Sequence, residues 1–151
     1  MAQLGLTVDS VIRVKCKPYL DTLPEDKANT YIQRMKDAAG ETIQFKIDEA
    51  EAILTSIQDT TQTCINNASS WATQIAAIAV PDVQAPKAGA ASLLSLQNAV
   101  KMAKANLSVS SAQAETIQII LLGLGTGIPQ VVTDAITAID TANTALNSIP
   151  L

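Results

Sequence analysis

The side chains that most often carry catalysis are sparse in this chain of 151 residues, which contains no histidine. Histidine is the side chain that most readily exchanges a proton near neutral pH, so its absence removes Ser-His, Cys-His and His-metal arrangements. Serine–lysine pairs remain, but no serine lies in a recognisable nucleophile motif. We therefore predict that the protein is not an enzyme and has no small-molecule substrate or cofactor.

A cluster of carboxylates is the first candidate for a metal site. Asp48, Glu49 and Glu51 lie beside Lys46 in the sequence, and Asp48 and Glu51 would share one helix face at a spacing of three residues. Two carboxylates alone would bind a cation weakly, because a hard cation requires several more oxygen ligands. A solvated helix face is the favoured interpretation, and we predict no metal site.

The sequence Gly123-Leu124-Gly125-Thr126-Gly127 superficially matches a phosphate-binding loop. It lacks the Lys-Ser/Thr pair that contacts the phosphates and the strand that precedes such a loop. Three alternating glycines can adopt backbone angles closed to other residues, and Pro129 can open the following helix. We therefore predict a corner whose hinge residues are Gly123, Gly125 and Gly127.

The remaining chemical groups are two cysteines and a set of basic residues. Cys16 and Cys64 are too few for a disulfide framework and are predicted to be small buried hydrophobes. The basic residues would form a patch if the N-terminus lay along the second long helix, but the net charge of −4 and the scattered aromatic residues do not favour nucleic acid as a partner. These basic residues are Arg13, Lys15, Lys17, Lys101 and Lys104.

Heptad spacing is the dominant pattern in the chain, with apolar residues alternately three and four apart forming stripes along predicted helices. The first stripe contains Ile43, Ile47, Ala50, Leu54, Ile57, Thr61, Cys64, Ala68, Trp71, Ile75 and Ile78. The second contains Leu93, Leu96, Val100, Ala103, Leu107, Ser110, Ala114, Ile117 and Leu121. The third contains Val132, Ala135, Ile139, Ala142, Leu146 and Ile149. Thr61 and Ser110 interrupt the apolar stripes, and Trp71 is predicted to fill space in the core.

We expect the stripes to carry the packing and interface contacts of the protein. The residues assigned to this role are Ile43, Ile47, Leu54, Ile57, Trp71, Ile75, Leu93, Leu96, Val100, Leu107, Ile117 and Leu121.

The boundaries of the helices follow from prolines, glycines and capping residues. We predict helices over 23–39, 41–80, 87–122 and 130–148, with the prolines of 80–86 forming the corner between the two long helices. Thr22 and Glu25 have the spacing of a capping box at the first of these helices. Gly40 is either the end of a helix or a kink inside a longer one, and the short separation of the two patterns favours a kink.

Residues 1–21 allow two interpretations. Ile12, Val14 and Cys16 alternate with basic residues at the two-residue period of a half-buried strand, which would form an extended arm able to add to a neighbouring subunit. The alternative is a short helix that Asp9 caps and Pro18 ends. The sequence alone leaves both open.

These elements predict one all-α domain over residues 1–151. We expect an elongated antiparallel bundle, or coiled-coil hairpin, of two long helices with one shorter helix at each end. At about 1.5 Å per residue, arms of roughly 35–40 residues would make a hairpin on the order of 55 Å long. The apolar positions exceed two per heptad, so further copies of the chain would help to cover them.

The function is predicted by elimination and from the surface. Residues 105–151 carry only Glu115, Asp134 and Asp140 as charged side chains, which indicates a covered surface. We expect a structural subunit that associates with itself and with other structural proteins of a phage or virus particle, as a tail, baseplate or capsid-associated component. The alternatives are a membrane-active protein that inserts residues 117–128, and a helical adaptor or assembly chaperone.

The N-terminus lacks the pattern of a secretory signal, so we expect synthesis in the cytosol and a final location in a virion or other large assembly.

Overall fold

The computed structural model of the protein describes residues 3–78 and 86–150, and the side chains of residues 3–78 and 91–150. Within these ranges it contains five α-helices and no strand. The helices are α1 (Val8–Lys15), α2 (Lys17–Leu20), α3 (Glu25–Ile78), α4 (Pro86–Leu124) and α5 (Gln130–Asn147). Helix α3 packs against α4 and α5. The all-α prediction is confirmed.

Helix α3 is continuous at Gly40, where the sequence also allowed one helix to end and another to begin. It runs from Glu25 to Ile78 through Gly40, so the two predicted helices 23–39 and 41–80 are one element. A glycine inside a helix costs only about 1 kcal/mol relative to alanine, which the packing along so long a helix can offset. A Cβ added at Gly40 would lie 3.7 Å from Cγ1 of Val8. Gly40 is therefore a place where the N-terminal segment, residues 3–20, lies close to α3.

The predicted capping box at Thr22 is wrong. The Thr22 hydroxyl donates to the carbonyl of Tyr19 at 2.6 Å, and α3 begins only at Glu25. The first carbonyl to enter the helical hydrogen-bond pattern is that of Pro24, which accepts from the Ala28 N–H at 2.9 Å. Thr22 is instead part of the turn that joins α2 to α3.

The extended-arm interpretation of residues 1–21 is also wrong, because most of this segment forms α1 and α2. The alternative of a short helix holds, but its cap is Thr7 rather than Asp9. The Ser10 N–H donates to the Thr7 hydroxyl at 3.0 Å, and the Thr7 N–H donates to the Ser10 hydroxyl at 2.9 Å. Pro18 lies in the first turn of α2, where a missing N–H costs nothing.

The buried positions of α1 explain why the alternating pattern wrongly predicted a strand. Val11 and Ile12 are adjacent in sequence and both are fully buried, whereas Val14 is 47% exposed. A strand would have placed Val11 and Ile12 on opposite faces. The alternation of Ile12, Val14 and Cys16 therefore does not describe the buried face of this segment.

The corner between α4 and α5 depends on two of the three predicted glycines. Helix α4 continues through Gly123 to Leu124, and Gly125 and Gly127 both have a φ of +74°. This left-handed region disfavours side chains with a Cβ. The carbonyl of Pro129 then accepts from the Val132 N–H at 3.0 Å at the start of α5. The corresponding corner between α3 and α4, predicted over 80–86, falls largely on 79–85, outside the described residues.

The chain divides into two compact units, which share α3 and α4. Unit 1 comprises Met1–Thr55 and Ala114–Thr133, and unit 2 comprises Ser56–Gln113 and Asp134–Leu151. In unit 1 a buried cluster joins Val11, Ile47 and Leu124, with Leu6, Ile43 and Ile120 packed against it. The buried cluster of unit 2 draws on α3, α4 and the C-terminal part of the chain: Cys64, Ala68, Ile75, Leu96, Val100, Ala103, Leu107, Ala142, Leu146 and Ile149.

Candidate interaction surface

The residues predicted to carry packing and interface contacts lie in the interior of the chain itself. Buried among them are Ile47, Leu54, Ile57, Ile75, Leu96, Val100, Leu107, Ile117 and Leu121, and partly buried are Ile43, Trp71 and Leu93. Trp71 packs against the buried cluster of unit 2. A surface that meets another molecule must therefore use side chains outside these stripes.

The two hydroxyls in the stripes have different environments. Thr61 is buried and donates its hydroxyl to the carbonyl of Gln58 at 3.0 Å, one turn earlier in α3. Ser110 is 1% exposed, and its hydroxyl has no hydrogen-bond partner among the described residues. The buried Ser110 hydroxyl therefore lowers the stability of the folded state, because no hydrogen bond replaces those that it would make with water.

The two cysteines differ in burial. Cys64 is buried, its Sγ lies 3.9 Å from the carbonyl oxygen of Ala103, and burial raises the pKa of its thiol. A raised pKa keeps the thiol protonated and unreactive. Cys16 is half-buried beside Tyr31. Both cysteines are free, and Cys64 matches the buried hydrophobe that the sequence indicated.

The carboxylate cluster is engaged in contacts within unit 1. Glu51 accepts the backbone N–H of Gln3 at 3.0 Å and that of Leu4 at 2.7 Å, one on each carboxylate oxygen. Asp48 accepts from the Gln44 side chain at 2.8 Å. Within the described residues no group of acidic, histidine or cysteine side chains is arranged to hold a metal ion. Glu51 thus holds the N-terminus against α3, a role that its sequence position does not signal.

Several large apolar side chains are exposed on the surface of unit 1. Ile119 is 70% exposed and Leu122 is 68% exposed, and their spacing of three residues puts them on one face of α4. Ile117 and Leu121, on the opposite face, are fully buried. We call the pair Ile119 and Leu122 the outer patch. Phe45 on α3 is a further large exposed side chain in this unit, at 65%.

Unit 2 has a similar outward face on its part of α4. Leu94, Met102 and Val109 are 59%, 69% and 59% exposed, while Val100 and Leu107 between them are buried. A helix that is apolar on its outward face as well as its buried face is typical of one covered by protein or lipid.

Helix α4 also passes a simple test for membrane-spanning segments. Ala91–Leu124 is long enough and has a window of mean hydropathy 1.2, and 33% of that window is buried inside the structure. Within the described residues it is the one helix of this kind. The buried helix of a water-soluble protein passes the same test, so this property does not separate a membrane surface from a protein partner.

Two surface grooves lie among the described residues. A groove of about 510 Å³ separates the start of α1 from α3 and is lined by Thr7, Val8, Asp9, Lys36, Gly40, Glu41 and Gln44. A second, of about 210 Å³, is lined by Asp59, Thr60, Thr63, Cys64 and Asn106 in unit 2.

No protein-family model, curated protein or solved structure matches the chain.

Proposed function

We propose that the protein is a non-enzymatic structural subunit that associates with copies of itself and with other proteins of a large assembly. The observation that carries this proposal is the exposure of Ile119 and Leu122 directly opposite the buried face of α4. Large apolar side chains grouped on one helix face favour binding of a partner. Each Å² of apolar surface that the partner buries stabilises the complex by about 25 cal/mol.

The distribution of charge supports the same proposal. Threonines make up four of the eight exposed residues of α5, and residues 105–151 carry no Lys or Arg. A surface with few charges offers little electrostatic resistance to association. A component of a phage or virus particle, such as a tail, baseplate or capsid-associated protein, is the setting that we propose for such a subunit.

We further propose that α3 and α4 form an antiparallel hairpin within unit 2. Two contacts between these helices support it. The Gln113 side chain donates to the Ser56 hydroxyl at 3.3 Å, and Cys64 Sγ approaches the Ala103 carbonyl. From the first contact to the second, the residue number rises along α3 and falls along α4. This order is expected for antiparallel helices.

The test of self-association is the native mass of the purified chain, measured by light scattering behind a sizing column. We expect a discrete multimer for the wild type, and a smaller species for the double variant Ile119→Ser and Leu122→Ser. The matched control, Ile119→Leu with Leu122→Ile, keeps the patch apolar and should keep the multimer. A wild type that stays monomeric at every concentration would exclude the proposal and favour an adaptor or assembly chaperone.

A membrane-active protein is the second candidate, because the outer patch adjoins the turn at Gly125 and Gly127 and Ile128 is 37% exposed. In this alternative residues 117–128 would enter the bilayer. Liposome flotation and release of a trapped dye would detect it. The Ile119→Ser and Leu122→Ser variant should then lose flotation, whereas a structural subunit should neither float nor release dye in either form.

A further inference from the structure

Helix α4 has a second set of heptad positions, on the face turned away from the core. We call this set the outward stripe. Its members are exposed and follow one another at alternating steps of three and four residues: Met102, Ala105, Val109, Ala112, Thr116 and Ile119. The buried positions of α4, such as Leu107 and Ile117, lie on the opposite side of the helix. Three-and-four spacing on an exposed face is the pattern of a helix that packs against another helix.

Large and small side chains alternate in the outward stripe. Met102 and Val109 are 69% and 59% exposed. Each is followed three residues later by an alanine, at Ala105 and Ala112. An alanine leaves room for a large side chain of a neighbouring helix. A second α4 running in the opposite direction would supply such side chains, because its Val109 would face Ala105 and its Met102 would face Ala112.

A row of residues at intervals of seven borders the outward stripe, and its chemistry is symmetric. We call it the flanking row. Its members are Leu94, Lys101, Ser108, Glu115 and Leu122, all of them exposed. Lys101 and Glu115 lie seven residues before and after Ser108, and the two leucines lie fourteen residues before and after it. Reversing the direction of the row therefore places leucine beside leucine and acid beside base.

The two charges of the flanking row are available to a partner. Among the described residues, neither Lys101 nor Glu115 has a hydrogen bond or salt bridge. In an antiparallel pair of α4 helices, Lys101 of each copy would lie beside Glu115 of the other, which gives two opposite-charge contacts related by two-fold symmetry. A parallel pair in register would place Asn106 and Ile120 beside these charges and gain no ion pair. The charges therefore favour the antiparallel direction.

Side-chain size and charge agree on one register. Both pairings put the two-fold axis beside residues 107–108. Helix α4 extends from Pro86 to Leu124. Two copies centred at this axis would overlap along almost the whole helix, over about 50 Å at a rise of 1.5 Å per residue. Leu122 of one copy would then lie beside Leu94 of the other, which covers part of the outer patch.

We infer that α4 pairs with α4 of a second copy of the chain, in the antiparallel direction and centred beside residues 107–108. This inference rests on the proposed self-association and specifies the surface and the direction that produce it. A second copy is the occupant because the same helix, reversed, matches the exposed face both in side-chain size and in charge. A lipid surface would bury the apolar side chains but would give Lys101 and Glu115 no partners.

Charge reversal at Lys101 and Glu115 tests the pairing. Lys101→Glu alone and Glu115→Lys alone each place like charges together at both contacts, so the association of each single variant should weaken about tenfold. The double variant, Lys101→Glu with Glu115→Lys, exchanges the two charges and should associate as the wild type does. Sedimentation equilibrium measures the association constants, and circular dichroism verifies that each variant keeps its helix content.

Lys104→Glu is the matched control. Lys104 is exposed on α4 but lies outside both the outward stripe and the flanking row, so its reversal makes the same change in net charge without touching the contacts. We expect it to associate nearly as the wild type does.

Mixing the two single variants gives a second readout. A pair made of one Lys101→Glu chain and one Glu115→Lys chain has opposite charges at both contacts, so mixed dimers should exceed the statistical proportion in native mass spectrometry. A wild type that associates, but responds to these variants no more than to Lys104→Glu, would overturn the antiparallel pairing and leave the proposed self-association intact. Weakening that the double variant fails to reverse would do the same. A wild type that stays monomeric at every concentration overturns both.

Discussion

At the scale of single residues, Glu51 has a clear part in the architecture of the protein. It belongs to a run of carboxylates that sequence inspection treats as a weak cation site or a solvated face, yet both of its oxygens accept N–H groups from the start of the chain. A carboxylate that accepts two backbone N–H groups satisfies donors that would otherwise need water. Glu51 therefore orders the N-terminal segment.

Ser110 provides a prediction about stability. Ser110→Ala should raise the free energy of unfolding by roughly 1 kcal/mol, because it removes a buried hydroxyl without a partner and adds helix propensity. Ser108→Ala is the matched control, since Ser108 is exposed on the same helix and gains only the propensity. Urea unfolding followed by circular dichroism measures both. An equal gain for the two variants would show that the Ser110 hydroxyl has a partner.

Asp9 provides a prediction about pH. Its hydrogen bond with Lys36, followed by that with Arg13, holds the pKa of Asp9 below the usual 3.8. A lowered pKa in the folded state stabilises the protein at pH values above 3.8, and this contribution is lost as the pH falls through the folded value. The wild type should thus be more stable than Asp9→Asn at pH 6, with the difference disappearing under strong acid.

The size of this effect is limited by solvent, because the Asp9 side chain is 34% exposed. We expect a difference under about 1 kcal/mol, as for other exposed ion pairs. Urea unfolding of both proteins across the acid range measures it. A difference that persists unchanged into strong acid would mean that the Asp9 carboxylate is not the source of the stability.

At the scale of elements, glycines have different roles according to their backbone angles. Gly123 lies in α4 with open space at its Cβ position, whereas Gly125 has a φ of +74° and its Cβ position faces Lys15. Gly123→Ala should therefore stabilise the protein by up to about 1 kcal/mol. Gly125→Ala should destabilise it by about 1 kcal/mol or more, because alanine is strained in the left-handed region. Thermal unfolding of the two variants checks the opposite signs.

The buried stripes of the long helices give a second prediction at this scale. Leu54→Asp and Val100→Asp should each destabilise the protein by several kcal/mol, since a buried carboxylate without a partner is costly. Leu54 is fully buried and Val100 is 4% exposed. Thr55→Asp, at an exposed neighbouring position, is the control. Retention of helix content and native mass in either stripe variant would contradict the assignment of these positions to the core.

At the scale of the whole molecule, association links stability to concentration. A ligand or subunit that binds only the folded state raises its stability by mass action. If the protein self-associates, its Tm should rise with chain concentration, and the Ile119→Ser and Leu122→Ser variant should show a smaller rise. Differential scanning calorimetry over a wide concentration range measures both. A concentration-independent Tm would argue against association through folded subunits.

The sequence by itself determined the class of fold and most of the buried positions. Heptad spacing identified Leu54, Leu107, Ile117 and Leu146, all of which are buried, because local periodicity on a long helix selects one face whatever that face contacts. Glycine and proline marked the turn before α5, because their backbone limits are properties of single residues. These signals need no knowledge of distant parts of the chain.

Only the tertiary structure decided how the N-terminal segment folds and whether α3 continues through Gly40. Residues 8–15 are helical although the pattern around them alternates, because Val11 and Ile12 are both buried and Val11 packs against Ile47 of α3 and Leu124 of α4. Helix α3 continues through Gly40 because packing along so long a helix can offset the cost of one glycine. The role of Glu51 likewise depends on N–H groups nearly fifty positions away. Long-range packing and hydrogen bonding decide such cases, since the local preferences involved differ by only about 1 kcal/mol.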